Sequence, residues 1–271
     1  MGLIKFSKDV ILIDSGIDDS YGRKALKIIS ENGLRLSWLI NTHFHADHIG
    51  GNAFIQAKTE SKILAHRLTK PFVENPVLEP ILLYSGADPI EELTTKFFKA
   101  QPSKVDHVFD GESLFEDVKI IELPGHAIGQ IGLALNGVVY AADSLFGREV
   151  IEKQRMIVYS DIEAALQSIE KLKAFEVFVP SHGSPSKSQE FLSQNKSHIE
   201  EIAEKIYKLL SEPKSEEQLL CEISSELGME IKEIGLYYLL RMTLLAYLKW
   251  FKQRGLVQPQ MMNNKVVWYK L

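Results

Sequence analysis

The tightest constraint on this chain is the stretch Thr42-His43-Phe44-His45-Ala46-Asp47-His48-Ile49-Gly50-Gly51, in which four metal-capable side chains fall within six residues. It follows the apolar run Leu36-Ser37-Trp38-Leu39-Ile40, which reads as a buried strand delivering ligands into a loop. His43 and His45, two apart in extended chain, point to the same side, so both imidazoles can reach one ion. Asp47 and His48 come where the chain must turn, and the glycine pair behind them lets the backbone pass close to an ion or continue into a helix. The bland alternative is three solvent-facing loop histidines. Imidazole together with carboxylate is instead the ligand set of zinc, iron and manganese.

One cluster leaves coordination incomplete, and further donors stand at the ends of expected strands. His126, in Pro124-Gly125-His126, ends the run from Val118 to Leu123; Asp143, in Ala141-Ala142-Asp143-Ser144, ends Gly137 to Tyr140; His182, in Pro180-Ser181-His182-Gly183, ends Val177 to Val179. The order His-x-His-x-Asp-His, then His, Asp and His, resembles the metallo-β-lactamase-fold superfamily over roughly the first 195 residues.

That resemblance implies an α/β fold, the αββα sandwich, holding two adjacent divalent ions, zinc first, with iron or manganese as alternatives. His43, His45 and His126 would bind one ion, Asp47, His48 and His182 the other, and Asp143 would bridge them. A hydroxide between the metals would attack an ester, thioester, lactone or phosphodiester, with Asp47 as the catalytic residue that passes a proton to the leaving group. A small-molecule substrate is the first expectation, and a glyoxalase II-like thioesterase fits, although the basic C-terminal helices that bind its glutathione have no match here. The same motif also occurs in iron redox enzymes, persulfide dioxygenases with one iron and flavodiiron oxygen reductases with two. In the latter a glutamate stands where this chain has His45, and no flavin domain follows, so redox chemistry is the alternative rather than the lead.

With 271 residues, 45% of them hydrophobic, the chain can form one sizeable α/β domain and a small second one. The net charge of -5 argues against a protein that coats nucleic acid generally. Cys221 is the single cysteine, so no internal disulfide or thiolate cluster can form; its neighbours Leu219, Leu220 and Ile223 predict a buried thiol on a helix. No charged-then-apolar leader and no membrane-length apolar run is present, so a cytoplasmic, soluble protein without membrane partners is expected.

Along the catalytic part, expected at 1–195, helical spacing runs from Tyr21 to Asn32. Residues 68–103 fit the metal core least: Pro71, Pro76, Pro80 and Pro89 break them, Asp88-Pro89 resembles a helix start, and Glu91 to Ala100 has helical composition. Phe72, Tyr84, Phe97 and Phe98 interleave there, which suggests a lid shaping the substrate pocket. Asn136-Gly137 signals a hairpin whose second strand exits at Asp143. Ser160 or Asp161 can cap a helix reaching Ala174, and His66 and His107 read as structural.

The composition then turns helical. Gln189 to Leu210, a capping box at Ser215 to Gln218, a third helix from near Leu236 to Arg254, and two strands around Asn263-Asn264 resemble a winged helix, expected at 196–271. Such an appendage occurs in the branch that includes lactamase-β-like endoribonucleases, which makes an RNA-processing nuclease, or an RNA or DNA partner, a further alternative. From Arg241 onward no acidic residue follows, and Tyr238, Arg241, Leu245, Lys249 and Lys252 share one helix face. That face suits phosphates, plain solvent, a homodimer interface or a clamp on the catalytic domain.

Overall fold

The computed structural model describes residues 1–111 and 115–271. The chain divides into two compact units, 1–122 with 127–136, and 123–126 with 137–271.

The first unit runs through strands β1 (Gly2–Phe6) and β2 (Asp9–Ile13), helix α1 (Asp19–Glu31), strand β3 (Arg35–Asn41), the one-turn helix α2 (Ala46–Ile49), helix α3 (Asn52–Lys58) and strand β4 (Lys62–His66). Short helices α4 (Lys70–Glu74) and α5 (Leu78–Leu83) precede β5 (His107–Phe109), β6 (Lys119–Glu122) and β7 (Ile131–Leu135). Strands β1 to β5 form one sheet in sequence order; β1 and β2 are antiparallel and the later neighbours parallel. Strands β6 and β7 pair antiparallel.

The apolar runs explain this sheet. Val10, Leu12, Leu39, Ile63 and Ala65 pack with Ala25 and Ile29 of α1 and with Ile49 and Ile55 in one core. Ile11, Ile13, Ile40 and Leu64, which alternate with them, are also buried. Both faces are therefore covered, as a parallel sheet with crossover helices requires. Each Val, Leu or Ile side chain among them contributes about 1.5–3 kcal/mol when fully buried. Helix α1 starts at Asp18, whose carboxylate accepts the Ser20 N–H at 3.0 Å, and stops before Gly33 at φ 62°.

The second unit contains β8 (Val138–Phe146), α6 (Arg148–Gln154), α7 (Ile162–Leu172), β9 (Val177–His182), α8 (Gln189–Leu209), α9 (Glu216–Glu226), α10 (Ile234–Gln253), β10 (Val257–Met262) and β11 (Lys265–Lys270). Strands β8 and β9 are parallel, and β10 and β11 form an antiparallel hairpin. Its turn residues Asn263 and Asn264 have φ 50° and 62°, the left-handed pair that a two-residue hairpin needs. Asp161 caps α7 and buries Ile162, Ala165, Ile169 and Leu172 beneath it. The capping box at Ser215 and Gln218 is formed on both sides. No helix among the described residues is long and apolar enough to cross a membrane.

Three expectations are corrected. Glu91 to Ala100 is not a helix: a single 3-10 turn, Glu91–Leu93, ends where the Thr94 hydroxyl donates to the Glu91 carbonyl at 3.0 Å. That side-chain bond competes with helical continuation. Cys221 is exposed. Leu219, Leu220, Ile223 and Ser224 define the buried face of α9, and Cys221 lies about 130° around the helix from the centre of that face. Asp143 does not mark the exit of its strand, because β8 continues to Phe146. Ala142, at φ 50°, bulges the strand and shifts its register to β9 just before Asp143.

Candidate functional site

In the first unit β3 ends at Asn41 and the chain passes through His43 and His45 into α2, which carries Asp47 and His48. His43 is fully buried. Its Nε2 lies 3.1 Å from His45 Nδ1, the His43 and His48 ring centroids are 4.0 Å apart, and His48 Nε2 is 3.6 Å from Asp47 Oδ2. All four residues singled out in this stretch therefore form one cluster.

A residue not singled out from the sequence organises them. Asp14, buried at the end of β2, accepts the Thr42 N–H, the Thr42 hydroxyl and the Nδ1 proton of His48, each at 2.8 Å. A carboxylate only accepts, so His48 carries its proton on Nδ1 and its lone pair on Nε2. Since the Thr42 hydroxyl proton is given to Asp14, its oxygen accepts from His43 Nδ1 at 3.1 Å, which places the His43 lone pair on Nε2 as well. The loop itself is held by Ser15, whose N–H donates to the His48 carbonyl at 2.7 Å and whose hydroxyl accepts from Gly51 N at 3.0 Å. A Cβ on Gly50 would stand 2.1 Å from the Ile17 carbonyl oxygen, so only glycine fits this approach.

Glu79 of α5 is a second residue that was missed. It is buried, with Oε1 3.9 Å from His45 Nε2. Burial, and after it the Asp47 carboxylate, pushes its carboxyl well above the usual range. The available signal was a lone carboxylate within the apolar run Leu78–Leu83. Phe72 of α4 stacks on Phe44 at 4.1 Å between centroids. His66 is buried, 3.2 Å from Glu122, and His107 packs edge-on against Trp38; both are structural.

In the second unit the three downstream residues also converge. Asp143 Oδ2 lies 3.6 Å from His126 Nε2 and 3.4 Å from His182 Nε2. His126 donates from Nδ1 to the Val158 carbonyl at 2.7 Å, which again fixes the lone pair on Nε2. His182 ends β9, and the Phe146 ring lies parallel to it at 6.4 Å. Asn195 of α8 clamps Phe146, accepting its N–H at 2.8 Å and donating to its carbonyl at 3.1 Å. Tyr159 is buried, and burial, then the Asp143 carboxylate, pushes its hydroxyl well above its ordinary range.

These donors fit a divalent cation. His43, His48 and His126 each have the outer ring nitrogen occupied by a hydroxyl, carboxylate or carbonyl, which fixes the tautomer in which Nε2 can ligate. The cationic face of α10 is engaged within the chain: Arg241 pairs with Glu216 at 2.7 Å, Lys249 with Asp161 at 2.7 Å and Arg254 with Glu163 at 2.8 Å.

The family model described as "Metallo-beta-lactamase superfamily" matches residues 1–182. A hydroxyacylglutathione hydrolase of Prochlorococcus marinus (strain MIT 9301) is 31% identical over 166 residues, covering 58% of this chain and 54% of that protein. One of Alkalilimnicola ehrlichii is 29% identical over 115 residues, 42% of this chain and 35% of its own length. The chain thus spans about half or less of the curated relatives it matches. Among solved structures, a metallo-beta-lactamase family protein of Thermus thermophilus superposes with a TM-score of 0.75 at 19% identity, covering 99% of this chain and 92% of that one. A beta-lactamase domain protein of Burkholderia ambifaria gives 0.76 at 15% identity, covering 99% and 87%. The α/β fold expected from the ligand order is the one observed, and the chain belongs to the metallo-beta-lactamase superfamily.

Proposed function

We propose that the protein is a dinuclear metal-dependent hydrolase acting on a small-molecule ester bond, with a thioester as the first substrate class. The observation that carries this reading is the hydrogen bond at Nδ1 of each of His43, His48 and His126, which leaves the Nε2 lone pair for an ion as a metal ligand requires. His43, His45 and His126 would hold one ion, Asp47, His48 and His182 the other, and Asp143 both. Divalent ions bound there, zinc first, would supply an activated water and polarise the attacked carbonyl oxygen. Asp47, on a partly exposed corner of α2, can deliver a proton to the leaving group. The thioester preference is supported by the hydroxyacylglutathione hydrolase names of the relatives.

The remaining assignments belong to the same proposal. Residues 1–195 form the catalytic domain, with 68–103 as a lid over the pocket, and 196–271 a winged-helix domain. The pairing of Arg241, Lys249 and Arg254 with carboxylates favours a clamp within the chain over a nucleic-acid surface.

Metal analysis of protein purified without added metal, on wild type and His182→Ala together, tests this reading. Two zinc or manganese ions per chain, falling towards one in the variant, with hydrolysis of acyl thioesters, is the expected result. One iron retained in both overturns it in favour of redox chemistry.

A further inference from the structure

We propose that helix α10 is part of the outer shell of the metal centre: through Thr243 and Lys249 it holds residues 158–161 in place, and those residues set the orientation and tautomer of His126. This rests on the reading of His126 as a metal ligand.

The inner side of this stretch is bonded to the ligand loop. Val158 accepts the His126 Nδ1 proton at 2.7 Å. The Gly125 carbonyl accepts from Ser160 N at 2.8 Å, Asp161 N at 2.9 Å and the Ser160 hydroxyl at 3.1 Å. Gly125, at φ 135°, lies so close to α7 that a Cβ would fall 2.4 Å from the Ala165 backbone, so only glycine fits this approach. Residues 158–161 thus hold the His126 ring and its loop, alongside Ser144 and Ser168, whose hydroxyls donate to the Leu123 and Pro124 carbonyls at 3.3 and 2.6 Å.

The outer side of the same stretch is bonded to α10. Tyr159 donates its N–H to the Thr243 hydroxyl at 3.2 Å, and that hydroxyl donates to the Leu239 carbonyl at 3.0 Å. Lys249 Nζ lies 2.7 Å from Asp161 Oδ2, while Asp161 Oδ1 caps α7 through Ala164 N at 3.1 Å. In the first turn of α7, Glu163 Oε2 accepts from both Trp250 and Arg254 at 2.8 Å. The Val158 carbonyl and the Tyr159 N–H are therefore the two ends of one peptide group, the carbonyl bonded to the ligand and the N–H to the C-terminal helix. Thr243 is fully buried, so its hydroxyl supplies the partner that the buried Tyr159 N–H would otherwise lack, a loss that costs about 1–3 kcal/mol in general. Thr243 and Lys249 are positioning residues, acting on the ion only through His126.

The test compares Thr243→Val, which keeps the volume and loses the acceptor, Thr243→Ser, which restores it, Lys249→Met, and Lys252→Met as an exposed control on the same helix. Zinc affinity is read by chelator competition, and the His126 ring by nitrogen NMR of the metal-free protein, with circular dichroism confirming the fold. Thr243→Val and Lys249→Met should weaken zinc binding about 10-fold and reduce the Nδ1–H tautomer of His126, while Thr243→Ser and Lys252→Met do neither. A lower Tm with unchanged zinc affinity and an unchanged His126 ring would overturn the proposal, leaving α10 a purely structural support. Should wild-type protein bind no zinc, the hydrolase reading fails, and the ring measurement on metal-free protein still decides whether α10 sets His126.

Discussion

Asp14 Oδ2 accepts the Nδ1 proton of His48 at 2.8 Å, and the same oxygen accepts the hydroxyl of Thr42 at 2.8 Å, so one buried carboxylate sets the tautomers of two candidate ligands. Its backbone is left-handed at φ 57°, a conformation that asparagine also tolerates. Asp14→Asn should therefore fold, yet hold His48 less firmly. Metal affinity by chelator competition is expected to drop about 10- to 100-fold with an unchanged far-ultraviolet circular dichroism spectrum. Unchanged affinity would remove Asp14 from the site.

His198 gives a pH dependence away from the ligands. Its Nε2 is buried with no hydrogen-bond partner, and burial lowers its pKa below the usual 6.5, against a smaller opposing pull from Glu201. The unfolded chain takes up a proton near pH 6.5 while the folded chain resists until lower pH. The contribution to stability is thus intact above about pH 6.5 and lost as pH falls below it, by at most about 1.4 kcal/mol per pH unit. Denaturant unfolding of wild type and His198→Leu between pH 8 and pH 5 should show the steeper decline in wild type; parallel curves would contradict this.

Gly50 tests the geometry of the metal loop directly. An added Cβ meets the Ile17 carbonyl oxygen at 2.1 Å and the Ala46 carbonyl oxygen at 2.8 Å, both backbone atoms with no rotamer to yield. Gly50→Ala should destabilise the protein by about 1–3 kcal/mol in urea unfolding and lower metal content. A neutral effect would mean that the loop between Asp47 and α3 is looser than these contacts require.

The sequence marked the candidate ligands more clearly than the residues that hold them. Seven candidate donors stand out because metal coordination restricts residue type and spacing, and the four in Thr42 to Gly51 are local in the chain. Asp14 and Glu79 reach their imidazoles across 34 residues in both cases, to His48 and His45. The immediate neighbours of Asp14 do not mark it, and Glu79 is marked only as a lone carboxylate in the apolar run Leu78–Leu83. Val158 acts through its carbonyl, which every residue possesses, so side-chain identity carries no trace of it. Helix α7 and the capping box were legible because caps and apolar stripes are short-range. Glu91 to Ala100 was not, since helical composition says nothing of the Thr94 hydroxyl taking the Glu91 carbonyl.

The lid proposal turns on Phe72. Its ring lies on that of Phe44 at 4.1 Å and 16°, and Phe44 stands between His43 and His45 in the chain. Trimming the ring removes a stacked pair, worth about 0.5–1.5 kcal/mol beyond area burial, but touches none of the hydrogen bonds that aim His43 or His48. Phe72→Ala should therefore retain its metal, lose a little stability, and change KM across a series of thioesters of increasing acyl length more than it changes kcat. The pattern to look for is a reordering of substrate preference at constant metal content. Loss of metal in Phe72→Ala would instead make the stack a support of the ligand loop, and the segment 68–103 a brace rather than a lid.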